Sequence, residues 1–286
     1  MSCALEVKGL KKVYKNFCLD HISFSLDEGC IMGFIGPNGA GKTTTIRAIL
    51  NQIIKDAGEI KLWGKDNIQY EPALKNRIGV VLDEGHYYGH LSIRKMTNLI
   101  SPFYNNWNDR TYKAHLRGFG LDENKKISEL SKGMRLKYGI TLALSHEADL
   151  LIMDEPTSGL DPLVREELLD ILQGMIQDEH KSVFFSTHIT SDLDKIADYI
   201  VFINDGKLIL SEPKDELLEK YAIVKGPSEL LVPSSDDFFV GIKRSGYGFE
   251  ALTSDRSAIR RTFGDKVILE KPTIEDLMLF YTRKGA

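Results

Sequence analysis

The chain's 286 residues suffice for about two domains, or one large domain with an appendage. Hydrophobic residues make up 42% and charged residues 27%, an ordinary globular mixture. Lys and Arg number 37 against 41 Asp and Glu, and the net charge of −4 argues against a protein that coats nucleic acid.

The opening residues carry an acid, Glu6, and no apolar stretch of the kind a secretory signal needs. No apolar run approaches the ~18 residues of a membrane-spanning helix. The three cysteines, Cys3, Cys18 and Cys30, form no CxxC and are too few for a disulfide framework, so reduced thiols are expected. Residues 5–26 read as short strands. Leu5 and Val7, then Ile22, Phe24 and Leu26, alternate with polar residues. Residues 30–35 form a nearly continuous apolar run, as in the buried strands of parallel sheets. A glycine-rich segment follows, then a helix expected over 42–54. Ile78–Leu82 is a second buried-strand candidate.

From 86 to 146 aromatics, Lys and Asn dominate, and the apolar spacing becomes helical. Strand-like runs return at 150–153 and 183–185, with a helix expected over 163–177 between them. Residues 199–203 and 207–210 flank Asn204-Asp205-Gly206 as a hairpin. Beyond position 212 the alternation loosens, punctuated by Pro227, Pro233, Gly246 and Gly248. Pro272-Thr273 opens a last apolar-rich helix. Residues 213–286 are expected as a small α+β appendage. With 12 basic and 12 acidic residues over 214–286, it is no basic tail.

Two segments carry chemistry. Gly36-Pro37-Asn38-Gly39-Ala40-Gly41-Lys42-Thr43 fits GxxxxGK[ST] between a buried strand and a helix. Glycines let the backbone present N–H groups to phosphate oxygens, and the helix start adds its positive dipole end. Lys42 supplies charge for the outer phosphates, and Thr43 a hydroxyl for Mg²⁺. Residues 150–156, Leu-Leu-Ile-Met-Asp-Glu-Pro, end a buried strand on two acids at the sheet edge where ligands bind in open α/β folds. Asp154 suits Mg²⁺. Glu155 suits a base or positioning group for an attacking water. Alone, an Asp-Glu turn is an ordinary surface feature; the phosphate loop upstream changes its reading.

Leu130-Ser131-Lys132-Gly133-Met134 lies before this strand and Ser158-Gly159-Leu160-Asp161 after it. With these motifs, residues 3–212 resemble the ATP-binding cassette ATPases, the nucleotide-binding subunits of ABC transporters. The resemblance implies an α/β fold: a P-loop NTPase core (1–212) with an antiparallel β subdomain and an inserted helical subdomain at about 86–146, then a C-terminal accessory domain (213–286). It implies ATP and Mg²⁺ as cofactors. Residues 36–43 and Thr44 would bind nucleotide, with Lys42, Glu155 and His188 catalytic. Ser131, Lys132, Gly133 and Asp161 would reach the nucleotide across a head-to-tail dimer. Tyr14 takes the place of the aromatic that stacks on adenine; by itself it is a surface aromatic.

The chain departs from the family pattern twice. Asp83 stands where a glutamine usually follows the second buried strand. A carboxylate there suits Mg²⁺, at the expense of the glutamine's switching role. Lys132 and Met134 replace the usual Gly and Gln, and Lys132 faces either the partner's phosphates or water. His86 and His90 have i, i+4 spacing, but Gly89 and the missing helix argue against metal ligation. Residues 86–107, with Phe103, Tyr104 and Trp107, read as a docking face for a membrane partner or as core.

The implied partners are a transmembrane permease and a second cassette, the same chain or a related one. No nucleic acid is expected. The expected location is the cytoplasmic face of the cell membrane. The signature and the 103–107 stretch are similar to exporter ATPases of Gram-positive peptide, toxin and antibiotic-resistance systems, the phenol-soluble modulin exporters among them. Two alternatives stand beside transport: a soluble cassette acting on ribosomes or DNA, and a regulatory cassette that binds ATP without turning it over.

Overall fold

The computed structural model describes residues 2–82, 87–231 and 238–283. Cys3–Tyr14 (β1) and Phe17–Asp27 (β2) form one antiparallel hairpin, where the sequence suggests several shorter strands. Leu5, Val7, Leu10, Leu19, Ile22, Phe24 and Leu26 are buried in it. The spacing of these residues changes from two to three between Val7 and Leu10. A register shift there keeps both residues on the buried side.

Ile31–Ile35 (β3) is buried along its whole length. Lys42–Ile49 (α1) follows and ends five residues before the expected 54. Asn51 takes left-handed backbone at φ 53°, and the N–H groups of Leu50, Asn51 and Gln52 turn back onto α1 carbonyls. Ala57–Leu62 (β4) and Lys65–Asp66 (β5) complete the first sheet, ordered β2-β1-β4-β5. Glu71–Lys75 (α2) leads to Ile78–Leu82 (β6).

The helical stretch comprises Ile93–Ile100 (α3), Asp109–Gly118 (α4) and Lys132–Ser145 (α5). Ser92, Asn108 and Ser131 cap their N-termini, each accepting a backbone N–H of the first turn. Its own small core includes Ile93, Met96, Leu116, Tyr138 and Leu142. Inside it the Thr97 hydroxyl bridges the hydroxyls of Tyr112 (3.0 Å) and Tyr138 (2.9 Å), so no oxygen of this trio lacks a partner. The three aromatics at 103–107 divide. Phe103 is 78% exposed. Tyr104 stacks on His146 at 3.8 Å between ring centroids. The Trp107 indole donates to Asp109 and its ring lies against Tyr112.

Leu150–Asp154 (β7), Pro162–Met175 (α6), Ser182–Thr187 (β8), Thr190–Ile196 (α7), Tyr199–Asn204 (β9) and Lys207–Pro213 (β10) return the chain to the sheet. The expected hairpin forms, with Asp205 and Gly206 at φ 46° and 71°, as a two-residue turn of this type requires. The second sheet runs β10-β9-β3-β8-β7-β6, parallel except at β10. Its central strands β3, β7 and β8 are buried on both faces. Ile31, Ile35, Leu151, Met153, Val183 and Phe185 pack toward α5, α6 and α7. Met32, Phe34, Leu150, Ile152 and Phe184 pack toward α1 and the antiparallel sheet. Alternation is therefore invisible in the sequence, because both parities are apolar.

Lys214–Lys220 (α8), Ala222–Gly226 (β11), Gly241–Ser245 (β12), Gly248–Thr253 (β13), Arg256–Phe263 (α9), Ile268–Glu270 (β14) and Ile274–Arg283 (α10) complete the chain. A third, antiparallel sheet is ordered β12-β13-β11-β14. Helix α10 lies back against α7, and its Ile274, Leu277 and Phe280 join the apolar cluster of the parallel sheet. Further along, Lys243, Glu250, Lys225 and Glu270 form a cross-strand ladder of ion pairs, 2.7–3.7 Å apart. Among the described residues no helix is long and apolar enough to cross a membrane.

Candidate active site

Strands β3, β7 and β8 end side by side. Ile35 pairs with Thr187, and Asp154 with Ser186. The parallel register therefore brings residues 36–43, 154–155 and 186–188 to one carboxyl edge of the sheet.

The 36–41 loop is pressed against its surroundings at two glycines. A Cβ on Gly36 would lie 2.4 Å from the Ile203 carbonyl oxygen. One on Gly41, at φ 111°, would lie 2.5 Å from Leu19 Cδ2 and 2.8 Å from Phe17 Cζ. The Ala40 N–H donates to Pro37 and the Ala40 carbonyl accepts from Gly206, which fixes the loop on the β9–β10 turn. Asn38, Gly39 and Thr43 are exposed, while Pro37 and Thr44 are half-buried. The loop thus shows solvent its tip and the start of α1.

Two chains of contacts run from α1 across the strand ends. Lys42 is only 6% exposed. Its Nζ donates to the carbonyls of Gly36 (2.8 Å) and Pro37 (3.3 Å) and lies 3.1 Å from Glu155 Oε1. The other Glu155 oxygen lies 2.7 Å from His188 Nδ1 and accepts the His188 backbone N–H at 3.3 Å. A carboxylate only accepts, so this tautomer carries its proton on Nδ1. In the second chain Thr43 Oγ1 donates to Asp154 Oδ2 at 2.7 Å, and Ser186 Oγ donates to Asp154 Oδ1 at 2.5 Å. Glu155 follows with φ 49°, a left-handed conformation costly for a side chain with a Cβ. Its N–H is held by the Ser186 carbonyl at 3.0 Å.

The other candidates lie elsewhere. Ser131 caps α5, accepting the Met134 N–H, and Asp161 caps α6, accepting that of Val164. Both line one hollow of about 330 Å³ together with Lys132, Gly133 and Gly159. Its walls include none of Lys42, Thr43, Asp154 or Glu155. The two helices meet closely: a Cβ on Gly133 would lie 2.9 Å from Val164 Cγ1. Tyr14 is 44% exposed, with Lys12 Nζ 5.4 Å from its ring centre. It pairs with Phe17, whose ring lies where a Cβ on Gly41 of the phosphate loop would meet it.

Asp83 and His86 lie outside the described residues. Leu82, just before them, pairs with Asp154. Among the described residues no group of three His, Cys, Asp or Glu side chains is placed to hold a metal ion. Ser186 escapes a motif reading, although it touches both strand-end acids. Its role depends on lying beside Asp154 in the register of two parallel strands, which spacing along the chain does not reveal.

The sequence model of the family described as ABC transporter matches residues 19–158. The bacitracin transport ATP-binding protein of Bacillus licheniformis is 32% identical over 223 residues, 77% of this chain and 73% of that protein. The lantibiotic transport ATP-binding protein of Streptococcus pyogenes is 31% identical over 214 residues, 74% of this chain and 91% of that one. Among solved structures, an ATP-binding subunit of an ABC transporter superposes with a TM-score of 0.69 at 27% identity, covering 76% of this chain and 92% of that one. CbiO1 of Clostridium perfringens, at 21% identity and a TM-score of 0.65, shares the fold. A phosphate loop set against two strand-end acids, in a chain that aligns with these relatives over three quarters of its length, places it in the ABC transporter family as an ATP-binding, ATP-hydrolysing cassette.

Proposed function

We propose that this cassette powers export through a separate membrane permease, hydrolysing Mg·ATP in a head-to-tail dimer at the cytoplasmic face of the membrane. The observation that carries the reading is the separation of the two groups of candidate residues. Lys42, Thr43, Asp154, Glu155 and His188 gather at the sheet edge. Ser131, Gly133 and Asp161 line a different hollow. One subunit then supplies the first group and its partner, a second copy or a related cassette, the other. ATP joins them.

Within one site the phosphate loop binds the nucleotide through its backbone N–H groups. Lys42 turns from the Gly36 and Pro37 carbonyls toward the outer phosphates. Glu155, oriented by His188, accepts a proton from the attacking water. The chain's own oxygens suit Mg²⁺. An octahedral ion with ligands at ~2.1 Å needs neighbouring oxygens about 3 Å apart. Thr43 Oγ1 and Asp154 Oδ2 are 2.7 Å apart, hard ligands already converging. Bound there, the ion would neutralise charge on the outer phosphates. Tyr14 stacks on the adenine.

Residues 1–212 form the cassette in this reading, and 213–286 an accessory domain. A groove of about 670 Å³ beside the helical subdomain suits the permease. Val80, Leu82, Tyr87, Tyr104 and Leu136 line it. The names of the relatives, which refer to bacitracin and lantibiotic transport, favour a peptide antibiotic or similar peptide as cargo. The test is purification of the tagged chain from membranes, with identification of what accompanies it. A multi-span protein and ATP hydrolysis well above that of a Lys42→Ala complex are expected. Purification without a membrane protein, or hydrolysis no greater than that of the variant, overturns the reading.

A further inference from the structure

The geometry points to Ser186 as a positioning residue that holds Asp154 so that one carboxylate oxygen remains turned toward the metal. This rests on the reading of Asp154 as a Mg²⁺ ligand. Ser186 is fully buried, and Asp154 is only 7% exposed. The serine hydroxyl has one proton, and it goes to Asp154 Oδ1 at 2.5 Å. The direction of that donation follows from the carboxylate, which only accepts, and the Glu155 N–H, held by the Ser186 carbonyl at 3.0 Å, also approaches Ser186 Oγ at 3.4 Å. A serine oxygen that faces an N–H points its own proton elsewhere, and Asp154 Oδ1 is the acceptor at hand.

Asp154 is thereby divided. Oδ1 is anchored on β8, and Oδ2 faces Thr43 Oγ1 at 2.7 Å. When Oδ2 and the Thr43 oxygen take a cation, the carboxylate need not rotate, since its other oxygen already has a donor. Partners of metal ligands act this way, and their loss commonly weakens metal affinity 10–100-fold. With alanine at 186, Oδ1 becomes a buried anionic oxygen without that donor. The side chain is then free to turn away from Thr43.

The experiment uses the full chain with saturating ATP and Mn²⁺ as a paramagnetic stand-in for Mg²⁺, with free Mn²⁺ read by electron paramagnetic resonance. Four proteins are compared: the parent chain, Ser186→Ala, Ser186→Thr and Asp154→Ala. Thermal melting of each shows that it is folded. Ser186→Ala is expected to raise the Mn²⁺ dissociation constant about tenfold. Ser186→Thr, which keeps the hydroxyl, should stay within about threefold of the parent, and Asp154→Ala should lose more than Ser186→Ala. Two results overturn the proposal: unchanged Mn²⁺ affinity in Ser186→Ala while Asp154→Ala loses it, or equal losses in the Ala and Thr variants with both proteins folded. If Asp154→Ala itself binds Mn²⁺ normally, the underlying reading of Asp154 fails instead.

Discussion

Lys42 and Glu155 face each other with Nζ 3.1 Å from Oε1, and Glu155 reaches His188 with its other oxygen. One carboxylate thus partners both the Lys42 ammonium and the His188 ring. Lys42 is held by two carbonyls and this acid, so incoming phosphates compete with Glu155 for the ammonium. In the proposed mechanism Glu155→Gln removes the competitor and the proton acceptor together. Turnover is expected to fall at least ~100-fold, the usual loss for a general base. ATP affinity should hold or rise, and gel filtration with Mg·ATP should show a lasting dimer. An ATPase rate within tenfold of the parent chain would remove Glu155 from the base role.

Gly41→Ala tests whether the loop's path is fixed by packing. At φ 111° a Cβ is strained, and it would strike Leu19 and Phe17 in the hairpin. Strain and overpacking together should cost about 2–4 kcal/mol in urea unfolding. ATP binding, followed with a fluorescent analogue, should drop steeply because the N–H groups of the loop lose their alignment. Gly39→Ala is the comparison. It shares the positive φ, but a Cβ there would meet nothing within 4 Å, so its loss should be the smaller.

The features legible in the sequence are those encoded along the chain. Ile78–Leu82 and 30–35 stand out because strands buried on both faces leave continuous apolar runs. The loop at 36–43 and the acids at 154–155 stand out because each is a compact motif at a strand end. Features that depend on pairing do not show. The contact of Ser186 with Asp154 needs the β7–β8 register, and the stack of Tyr104 on His146 joins two distant segments. Helix α1 reads five residues too long because nothing in its apolar spacing marks Asn51 as left-handed. In the C-terminal sheet β11 lies between β13 and β14, out of chain order, so an α+β texture is visible but the topology is not.

Gly133→Ala separates the two groups of candidate residues. Its Cβ would press on Val164 Cγ1 at 2.9 Å, and valine has little rotamer freedom in a helix. The start of α5, with Ser131, must then shift away from α6, with Asp161. ATP binding should stay within about twofold, since the hollow includes no residue of the Lys42 cluster. Turnover should fall about tenfold or more, because a displacement of an ångström near a reacting centre can be that costly. Val164→Ala in the same chain should restore much of the rate. A loss of ATP binding equal to the loss of turnover would show the groups acting as one site within a single chain.

His146 makes stability depend on pH. It ends α5, is 1% exposed and lies flat on Tyr104. Burial pushes its pKa down from 6.5 to about 4, despite small opposing contributions from backbone carbonyls and Asp149. The folded state therefore prefers the neutral ring. Its contribution is complete above the unfolded value near 6.5 and is lost progressively as pH falls toward 4. Between pH 7 and pH 5 this one group should cost about 2 kcal/mol, because from 6.5 down to 5 the unfolded ring takes up its proton and the folded one does not, at about 1.36 kcal/mol per pH unit. His146→Phe keeps a flat ring against Tyr104 and cannot titrate. Other groups, including the partly buried His115, whose pKa burial also lowers, are common to both proteins and cancel in the comparison. Urea unfolding at pH 7 and pH 5 should show the variant losing about 2 kcal/mol less than the parent chain, the value derived above. Equal losses would mean that the His146 site admits the charged ring without penalty.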